Sequence, residues 1–159
     1  MLTESMEDYL EMIYRLAQAK GYVRAVDLAE TLGVQPSSVT RMIQKLHDAG
    51  LLCYERYRNI ALTERGRAIG RFLVWRDEQL KKFLTLLKAD VGVDEQVEGI
   101  EHYITPNTMC LIRNLTRYFS EYPERLSELE RLQKVPQYPD GERLDELRAW
   151  LFRHSREDE

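Results

Sequence analysis

Glu98, Glu101 and His102 are the side chains whose types and spacing most clearly allow chemistry. They lie in a helix predicted from Val93 to Ile104, at positions i, i+3 and i+4, so all three would project from one helical face. Carboxylate oxygens together with an imidazole nitrogen suit Mn, Fe, Co or Zn ions. A histidine beside two glutamates is also common as a surface pair. The pattern alone therefore leaves a metal site and a solvated face both open.

Three more carboxylates could contribute to such a site. Asp8 and Glu11 lie one turn apart in a helix predicted from Thr3 to Lys20, where two carboxylates can share a cation or can simply face water. Asp77 lies inside a long helix predicted from Thr63 to about Leu87. Aspartate is mildly unfavourable in a helix interior, which indicates a partner for Asp77, although a solvated aspartate is the commoner case.

The segment from Val26 to Leu52 is typical of a helix-turn-helix. Two short stretches with apolar residues at helical spacing are separated by Gly33, and Pro36 suits the first position of the second helix. Small polar, amide and cationic groups are left on the outward side, as expected of a helix that enters a DNA major groove. These candidate DNA-binding residues are Pro36, Ser37, Ser38, Thr40, Arg41, Gln44 and Lys45. The alternative is an ordinary three-helix module with a solvated exterior.

The residues from Cys53 to Leu62 predict a wing beside that motif. Side chains alternate along this stretch, and Arg58 and Asn59 fall where a tight hairpin turn would lie. Arg56 and Arg58 would then reach the phosphate backbone or the minor groove, which supplies affinity without sequence information. We therefore predict a winged helix-turn-helix that binds double-stranded DNA.

The second half of the chain predicts a helical dimerisation region. A helix after Thr105 is apolar over a wider arc than a small domain needs, which indicates an interface in a homodimer. The predicted fold is mainly α, with an N-terminal winged helix-turn-helix joined by a long helix to an all-α dimerisation domain. The predicted domains are a DNA-binding domain at 1–73, a metal-binding and dimerisation domain at 74–136, and a C-terminal helical extension at 137–159.

Composition narrows the class of protein. The 159 residues are 43% hydrophobic and 31% charged, as in an ordinary globular protein. We expect no membrane association and a cytoplasmic location, because there is no apolar run of about 18 residues and the N-terminus is acidic. The net charge of −4 is uneven: residues 1–74 hold ten Lys and Arg against nine Asp and Glu, and residues 75–159 hold thirteen against eighteen. The two cysteines, Cys53 and Cys110, are expected to be small buried residues.

Four segments together resemble the DtxR family of metal-dependent repressors, and within it the manganese-sensing MntR-type branch. They are SMEDYLEMIY, QPSSVTRMIQKL, YERYRNIALTERG and VEGIEHYI, and they keep a consistent order over roughly residues 3 to 120. The resemblance implies a metal site, often binuclear, between the DNA module and the dimerisation helices. The positions that match its ligands are Asp8, Glu11, Asp77, Glu98, Glu101 and His102.

This sequence has Asp77 where the manganese branch usually has histidine, and that leaves the geometry and the selectivity of the site open. Glu98 stands where iron sensors typically have cysteine, and Asp8 where they typically have methionine. Both positions favour manganese (Mn2+) over iron (Fe2+), with an iron-responsive repressor as the alternative. The resemblance implies a repressor of metal-uptake genes rather than an enzyme.

Two other classes of protein are alternatives to a metal-dependent repressor. A winged-helix regulator that does not sense metal would carry the same DNA module with a solvated acidic face. A helical metalloenzyme would use the carboxylates for oxygen or hydrolytic chemistry. The sequence lacks the repeated Glu-x-x-His pattern of such enzymes and shows no nucleophile or phosphate loop near the candidate ligands.

Overall fold

The computed structural model describes residues 2–54, 59–89, 92–132 and 144–154. In chain order the elements are α1 (Glu4–Lys20), α2 (Ala25–Leu32), α3 (Pro36–Asp48), β1 (Leu52–Cys53), β2 (Ala61–Leu62), α4 (Glu64–Leu86), α5 (Val93–Ile100), a 3-10 turn (Glu101–Tyr103), α6 (Pro106–Glu121), α7 (Pro123–Leu132) and α8 (Leu144–His154). The chain forms two compact units, Met1–Arg117 and Tyr118–Glu159. The mainly α fold with a small wing sheet confirms the predicted fold class. No helix among the described residues is both long enough and apolar enough to cross a membrane.

The first helix begins and ends as its sequence predicts. The Thr3 hydroxyl accepts a hydrogen bond from the Met6 backbone N–H at 3.3 Å, which caps the N-terminus. Gly21 ends the helix at φ 76°, a left-handed conformation that glycine adopts without steric cost. Leu10 and Ile13 of α1 are fully buried. This helix therefore packs one apolar stripe inward and leaves another face for polar side chains.

The DNA module has one hydrophobic core. Residues from α1 to α4 and from the sheet contribute to it, and they include Leu10, Ile13, Leu28, Val39, Ile43, Leu46, Leu52 and Leu73. The two strands pair antiparallel, with Leu52 opposite Leu62 and Cys53 opposite Ala61. The predicted Arg56 and Arg58 contacts and part of the predicted turn lie outside the described residues.

Helix α4 continues from the DNA module into a second, smaller core. The Thr63 hydroxyl accepts from the Gly66 N–H at 3.0 Å and donates to the Gly50 carbonyl at 2.9 Å, so it caps α4 and ties it to the preceding loop. Further along, Leu80 packs with Val97 of α5 and Met109 of α6. The long connecting helix predicted from Thr63 thus runs through both cores.

Two sequence expectations are wrong. The helix predicted from Val93 to Ile104 ends at Ile100, and Glu101–Tyr103 forms a 3-10 turn that rotates the following side chains. Cys53 and Cys110 are exposed rather than buried. Cys53 lies on a sheet of two short strands, and such a sheet has one face that nothing among the described residues covers.

Candidate metal centre and DNA-binding face

The side chains of Asp8, Glu101 and His102 lie close together in the first unit. Each offers one ligand atom, and these atoms lie within 4.8 Å of one another. The His102 Nε2 atom is 3.0 Å from an Asp8 carboxylate oxygen. Among the described residues this is the one group of three or more acidic, histidine or cysteine side chains at such spacing. It joins helix α1 to the 3-10 turn, two elements far apart in the sequence.

Glu7 and Arg76 orient His102 from the other side of its ring. The Nδ1 atom lies 2.9 Å from a Glu7 carboxylate oxygen and 3.3 Å from Arg76 Nη2. Because a ring nitrogen cannot donate to Glu7 and accept from Arg76 at once, we assign the Nδ1 proton to the Glu7 hydrogen bond. With a proton on Nδ1, the Nε2 atom faces Asp8 at 3.0 Å, and a metal ion that replaced the Nε2 proton would bind on the side of Asp8.

Glu101 is the most deeply buried acid of this group. Its side chain is 8% exposed, and its nearest cation atom, Arg76 Nε, lies 3.5 Å away. One carboxylate oxygen, Oε2, is buried without a hydrogen-bond partner among the described residues. Burial, with the charges of Glu11 and Asp77 added, raises the pKa of Glu101 to about 7, against the opposing effect of Arg76. The Oε2 atom faces Arg76 Nε in an ion pair at 3.5 Å, and neither of these two buried atoms makes a hydrogen bond among the described residues.

The neighbouring side chains also have raised pKa values. Burial raises the pKa of Asp8, and the charges of Glu98 and Glu7 add to that effect, whereas His102 opposes it. Burial lowers the pKa of His102, but the hydrogen bond to Glu7 and the charges of Asp8 and Glu101 outweigh it, so the pKa is raised. Carboxylates in this cluster thus lack enough compensating positive charge.

Glu11 and Asp77 lie beside this group and are paired with cations. One guanidinium nitrogen of Arg15 is 2.6 Å from Asp77 and 2.8 Å from Glu11. Lys81 Nζ lies 3.0 Å from the other Asp77 oxygen and 2.6 Å from Asp94. Asp77 is 8% exposed, so the partner that its helix-interior position predicts is present.

Glu98 is not part of the close group. It lies in α5, two residues before the helix ends, and its side chain is exposed. The change from α-helix to 3-10 turn after Ile100 separates it from the direction of Glu101 and His102. The charge of Glu98 still raises the pKa of Asp8, so the two carboxylates are close enough to interact electrostatically.

The donor set fits a divalent cation. Two carboxylates and one imidazole supply hard oxygen and borderline nitrogen ligands, without a thiolate. Glu101 Oε2 is buried without a hydrogen bond, and burial raises the pKa of Glu101 and of Asp8, so a divalent cation would add positive charge beside these carboxylates. The residues present therefore suit Mn, Fe or a similar ion.

Four polar residues of this region were missed at the level of sequence: Glu7, Arg15, Arg76 and Lys81. Arg15 and Lys81 follow Glu11 and Asp77 by four residues, a helical spacing that predicts ion pairs and could have identified them. Glu7 and Arg76 contact His102 although they lie 95 and 26 residues away from it in the sequence. No local sequence pattern reports such a long-range contact.

The outward side of α3 carries every helix residue proposed for DNA contact. Pro36, Ser37, Ser38, Thr40, Arg41, Gln44 and Lys45 are all exposed, whereas Val39, Ile43 and Leu46 are fully buried. The Gln44 amide donates to Asp48 at 2.8 Å, and the Thr40 hydroxyl donates to the Pro36 carbonyl at 3.0 Å. The face is polar, with two cations, and is free to meet another surface.

Helix α6 carries large apolar side chains that the described part of the chain leaves uncovered. Leu111, Leu115 and Tyr118 follow one another at steps of four and three and are 58%, 47% and 44% exposed. Met109 of the same helix is fully buried in the second core. One side of α6 is thus anchored and another presents an apolar stripe.

Comparison with known proteins identifies the two halves of the chain. Residues 1–60 match the family model described as iron dependent repressor, N-terminal DNA binding domain. Residues 63–130 match the model described as iron dependent repressor, metal binding and dimerisation domain. The matches cover the helix-turn-helix, the acidic cluster and the apolar stripe of α6.

Relatives of full length support the same assignment. The HTH-type transcriptional regulator MntR of Shouchella clausii is 46% identical over 143 residues, which cover 89% of this chain and all of the relative. The regulator of the same name from Bacillus subtilis is also 46% identical and is covered over 98% of its length. Both are named as regulators, which confirms the expectation of a protein that is not an enzyme.

Solved structures share the fold. A manganese-dependent transcriptional repressor in complex with manganese is 27% identical with a TM-score of 0.60, and the match covers 71% of this chain. IdeR of T. acidophilum is 31% identical with a TM-score of 0.54, and the match covers 70% of this chain. This chain spans 53% of the length of either structure. The chain belongs to the DtxR family of metal-dependent, DNA-binding transcriptional repressors, on its MntR-type branch.

Proposed function

We propose that this chain is a manganese-responsive repressor of metal-uptake genes, acting as a homodimer on operator DNA in the cytoplasm. The observation that carries the proposal is the convergence of Asp8, Glu101 and His102. That group links helix α1 of the DNA module to the 3-10 turn that precedes α6. A change in its charge can therefore alter how the DNA-binding and dimerisation elements are held together.

Asp8, Glu101 and His102 would hold the ion directly. Glu98 interacts electrostatically with Asp8, so a movement of its exposed side chain would add a further carboxylate. Glu11 and Asp77 match the remaining ligand positions that the family resemblance predicts. The resemblance predicts one or two ions per subunit at these six positions.

Manganese is favoured by the chemistry of the ligands. Carboxylate oxygens with one imidazole suit Mn(II) and Fe(II), and the described cluster has no thiolate that would select a softer ion. Two relatives are named MntR, and one similar solved structure is described as a manganese-dependent repressor with manganese bound. Fe(II) is the alternative, because its preferences for these ligands are close to those of Mn(II).

Repulsion among the carboxylates opposes the joined arrangement when no ion is bound. Glu101 and Asp8 have raised pKa values for this reason together with burial. When bound, a divalent ion supplies the positive charge that makes this arrangement favourable. Asp8 on α1 and His102 on the turn then stay together, which restricts the DNA module relative to α6. A tenfold preference of the ion for that state corresponds to about 1.4 kcal/mol.

Helix α3 would read the operator. Arg41, Gln44 and Lys45 are exposed and long enough to reach base edges in the major groove, and the serines near the helix start suit phosphate contacts. Arg56 and Arg58 of the wing would add phosphate or minor-groove contacts. A homodimer would present two α3 helices to two half-sites.

The exposed apolar stripe of α6 suits the dimer interface. Leu111 and Leu115 expose about half of their surface in one subunit, and covering them with the same stripe of a partner would bury both. The match to a family dimerisation domain over residues 63–130 includes this helix. The dimer would therefore form next to the metal cluster.

The proposal is tested by DNA binding across a panel of metals. A binding site is first selected from a pool of random duplexes by the manganese-loaded protein. The chelator-stripped protein is then titrated against it with Mn(II), anaerobic Fe(II), Co(II), Zn(II) or chelator, with fluorescence anisotropy as the readout. We expect strong activation by Mn(II) and little affinity in chelator. Equal affinity in all conditions would leave a regulator that does not sense metal, and activation by Fe(II) alone would support the iron alternative.

A further inference from the structure

We infer that Arg15 takes the place of a second metal ion, so that each subunit binds a single divalent ion at Asp8, Glu101 and His102. The inference rests on the proposed metal-dependent function and deepens it. Glu11 and Asp77 would then be held by the protein's own guanidinium. Arg15 is therefore a residue that sets the number of ions.

The contacts of Arg15 are those expected of a cation shared by two acids. Its Nη2 atom lies 2.6 Å from Asp77 Oδ2 and 2.8 Å from Glu11 Oε1, and its Nε atom lies 2.9 Å from the same Glu11 oxygen. The two acid side chains are only 14% and 11% exposed. Charge-assisted hydrogen bonds in partly buried positions are short and strong. Arg15 thus fills the space between the acids that a bridging ion would occupy.

Lys81 completes the neutralisation of Asp77. Its Nζ atom lies 3.0 Å from Asp77 Oδ1, so a cation contacts each oxygen of that carboxylate. Glu11 and Asp77, which are both mostly buried, face the two positive charges of Arg15 and Lys81. Lys81 also contacts Asp94, but that side chain is 80% exposed and its charge is screened by water. An incoming divalent ion would have to displace at least one of these cations and leave it in a partly buried place.

The cluster around His102 has more negative than positive charge. Glu7, Asp8 and Glu101 face one guanidinium, that of Arg76, which is 2.9 Å from Glu7 and 3.5 Å from Glu101. Glu101 Oε2 is buried and accepts no hydrogen bond from the described residues. Among the mostly buried carboxylates of the two clusters, the excess of negative charge therefore lies beside His102. The difference between the two clusters directs one ion to His102 and none to Asp77.

The inference is tested by counting bound manganese on the full chain. Equilibrium dialysis with Mn(II), followed by metal analysis, gives the number of ions per subunit. We expect one in the wild type and two in Arg15→Met, which keeps an unbranched, flexible side chain and removes the guanidinium charge. Arg71→Met, on an exposed position of α4, is the control and should keep one.

The electron paramagnetic resonance spectrum of the Mn(II)-loaded protein gives a second readout. Ions roughly 4 Å apart, as in two-metal sites, show spin coupling. We expect an uncoupled spectrum from the wild type and a coupled one from Arg15→Met. The wild-type spectrum remains informative even where Arg15→Met fails to fold.

The outcomes separate the inference from the proposed function. Two ions in the wild type, or one in a folded Arg15→Met, would overturn the role of Arg15 while leaving manganese sensing intact. No bound manganese in the wild type would overturn the proposed function itself. A Glu101→Ala variant that loses the single wild-type ion would support its placement beside His102.

Discussion

Single residues of the acidic cluster share one electrostatic property. The pKa values of Asp8, Glu11, Glu101 and His102 are all raised, in each acid chiefly by burial and in His102 by the acids around it. A raised pKa means that the folded protein binds protons more tightly than the unfolded chain. The metal-free protein is therefore less stable when this cluster is fully deprotonated.

The free energy of unfolding should accordingly fall as the pH rises when metal is absent. For Glu101, the stabilising contribution is fully present below the unfolded pKa of 4.5 and is lost as the pH rises through about 7. This shift corresponds to at most about 3 kcal/mol. Chemical unfolding in chelator, followed by circular dichroism between about pH 5 and about pH 8, should show the decline.

The matched variants for this experiment are Glu101→Gln and Glu30→Gln. Glutamine at position 101 cannot ionise, so we expect a flatter pH profile, whereas the exposed Glu30 should not affect it. A wild-type stability that rises over this range in chelator would contradict the electrostatic account. Saturating Mn(II) should reverse the decline, because metal competes with protons for the same ligands.

The chemistry of the site could be predicted from single residues only in part. The residue types at Asp8, Glu101 and His102 and their match to the family pattern identified three positions that the structure brings together. Glu7 and Arg76 could not be found, because their contacts with His102 depend on tertiary packing. Arg15 could be paired with Glu11 from spacing, but its contact with Asp77 spans two helices.

At the scale of elements, the position of α4 depends on close contacts with the DNA module. Gly66 has no room for a side chain, since a Cβ atom there would clash with the Leu51 carbonyl oxygen, and at Gly70 a Cβ would approach Tyr14 to 2.8 Å. The small residues let the helix backbone lie against its neighbours. This packing fixes where Arg76 and Asp77 meet α1.

Gly66→Ala should therefore destabilise the fold, by roughly 1–3 kcal/mol as for other overpacked positions. Thermal unfolding in chelator measures the effect. Gly99→Ala is the control, because a Cβ at position 99 meets nothing within 4 Å and alanine favours the helix. Equal melting temperatures for Gly66→Ala and the wild type would show that α4 can shift without cost.

Helices could be predicted well from capping signals and periodicity, with one instructive failure. The predicted helices begin at Thr3 and Thr63, and both threonines are N-caps in the structure. The helix predicted to reach Ile104 ends at Ile100, although the sequence from Val97 to Ile104 keeps a helical pattern. The 3-10 turn places Glu101 and His102 in the interior while Glu98 stays exposed, so tertiary packing overrides local preference.

At the scale of the whole molecule, function requires two copies of the chain in the proposed account. Leu111→Glu would place a charge in the apolar stripe of α6 and should convert the dimer to monomers. Sedimentation velocity measures the change, and Arg113→Glu, at an exposed position on the opposite side of α6, is the control. A Leu111→Glu protein that remains dimeric would place the interface elsewhere.

The function of the whole molecule could be predicted mainly from the family resemblance and much less from local sequence patterns. The net charge of −4 alone would argue against a DNA-binding protein. The excess of acidic residues lies in the second half of the chain, however, so the net charge does not describe the helix-turn-helix. The exposed α3 face and the uncovered α6 stripe agree with the predicted roles. The domain boundaries predicted at residues 73 and 136 remain predictions, as does the role of the C-terminal extension.

In the proposed mechanism, ion binding at Asp8, Glu101 and His102 is coupled to DNA binding by α3. Coupling is reciprocal, so DNA must raise the affinity for metal by the same factor that metal raises the affinity for DNA. The most direct measurement is the dissociation constant of Mn(II), determined with the selected duplex and with a scrambled duplex of equal length and charge. We predict about tenfold tighter Mn(II) binding with the selected duplex, which corresponds to about 1.4 kcal/mol. Equal affinity with both duplexes would contradict the coupling and leave the metal cluster without a regulatory role.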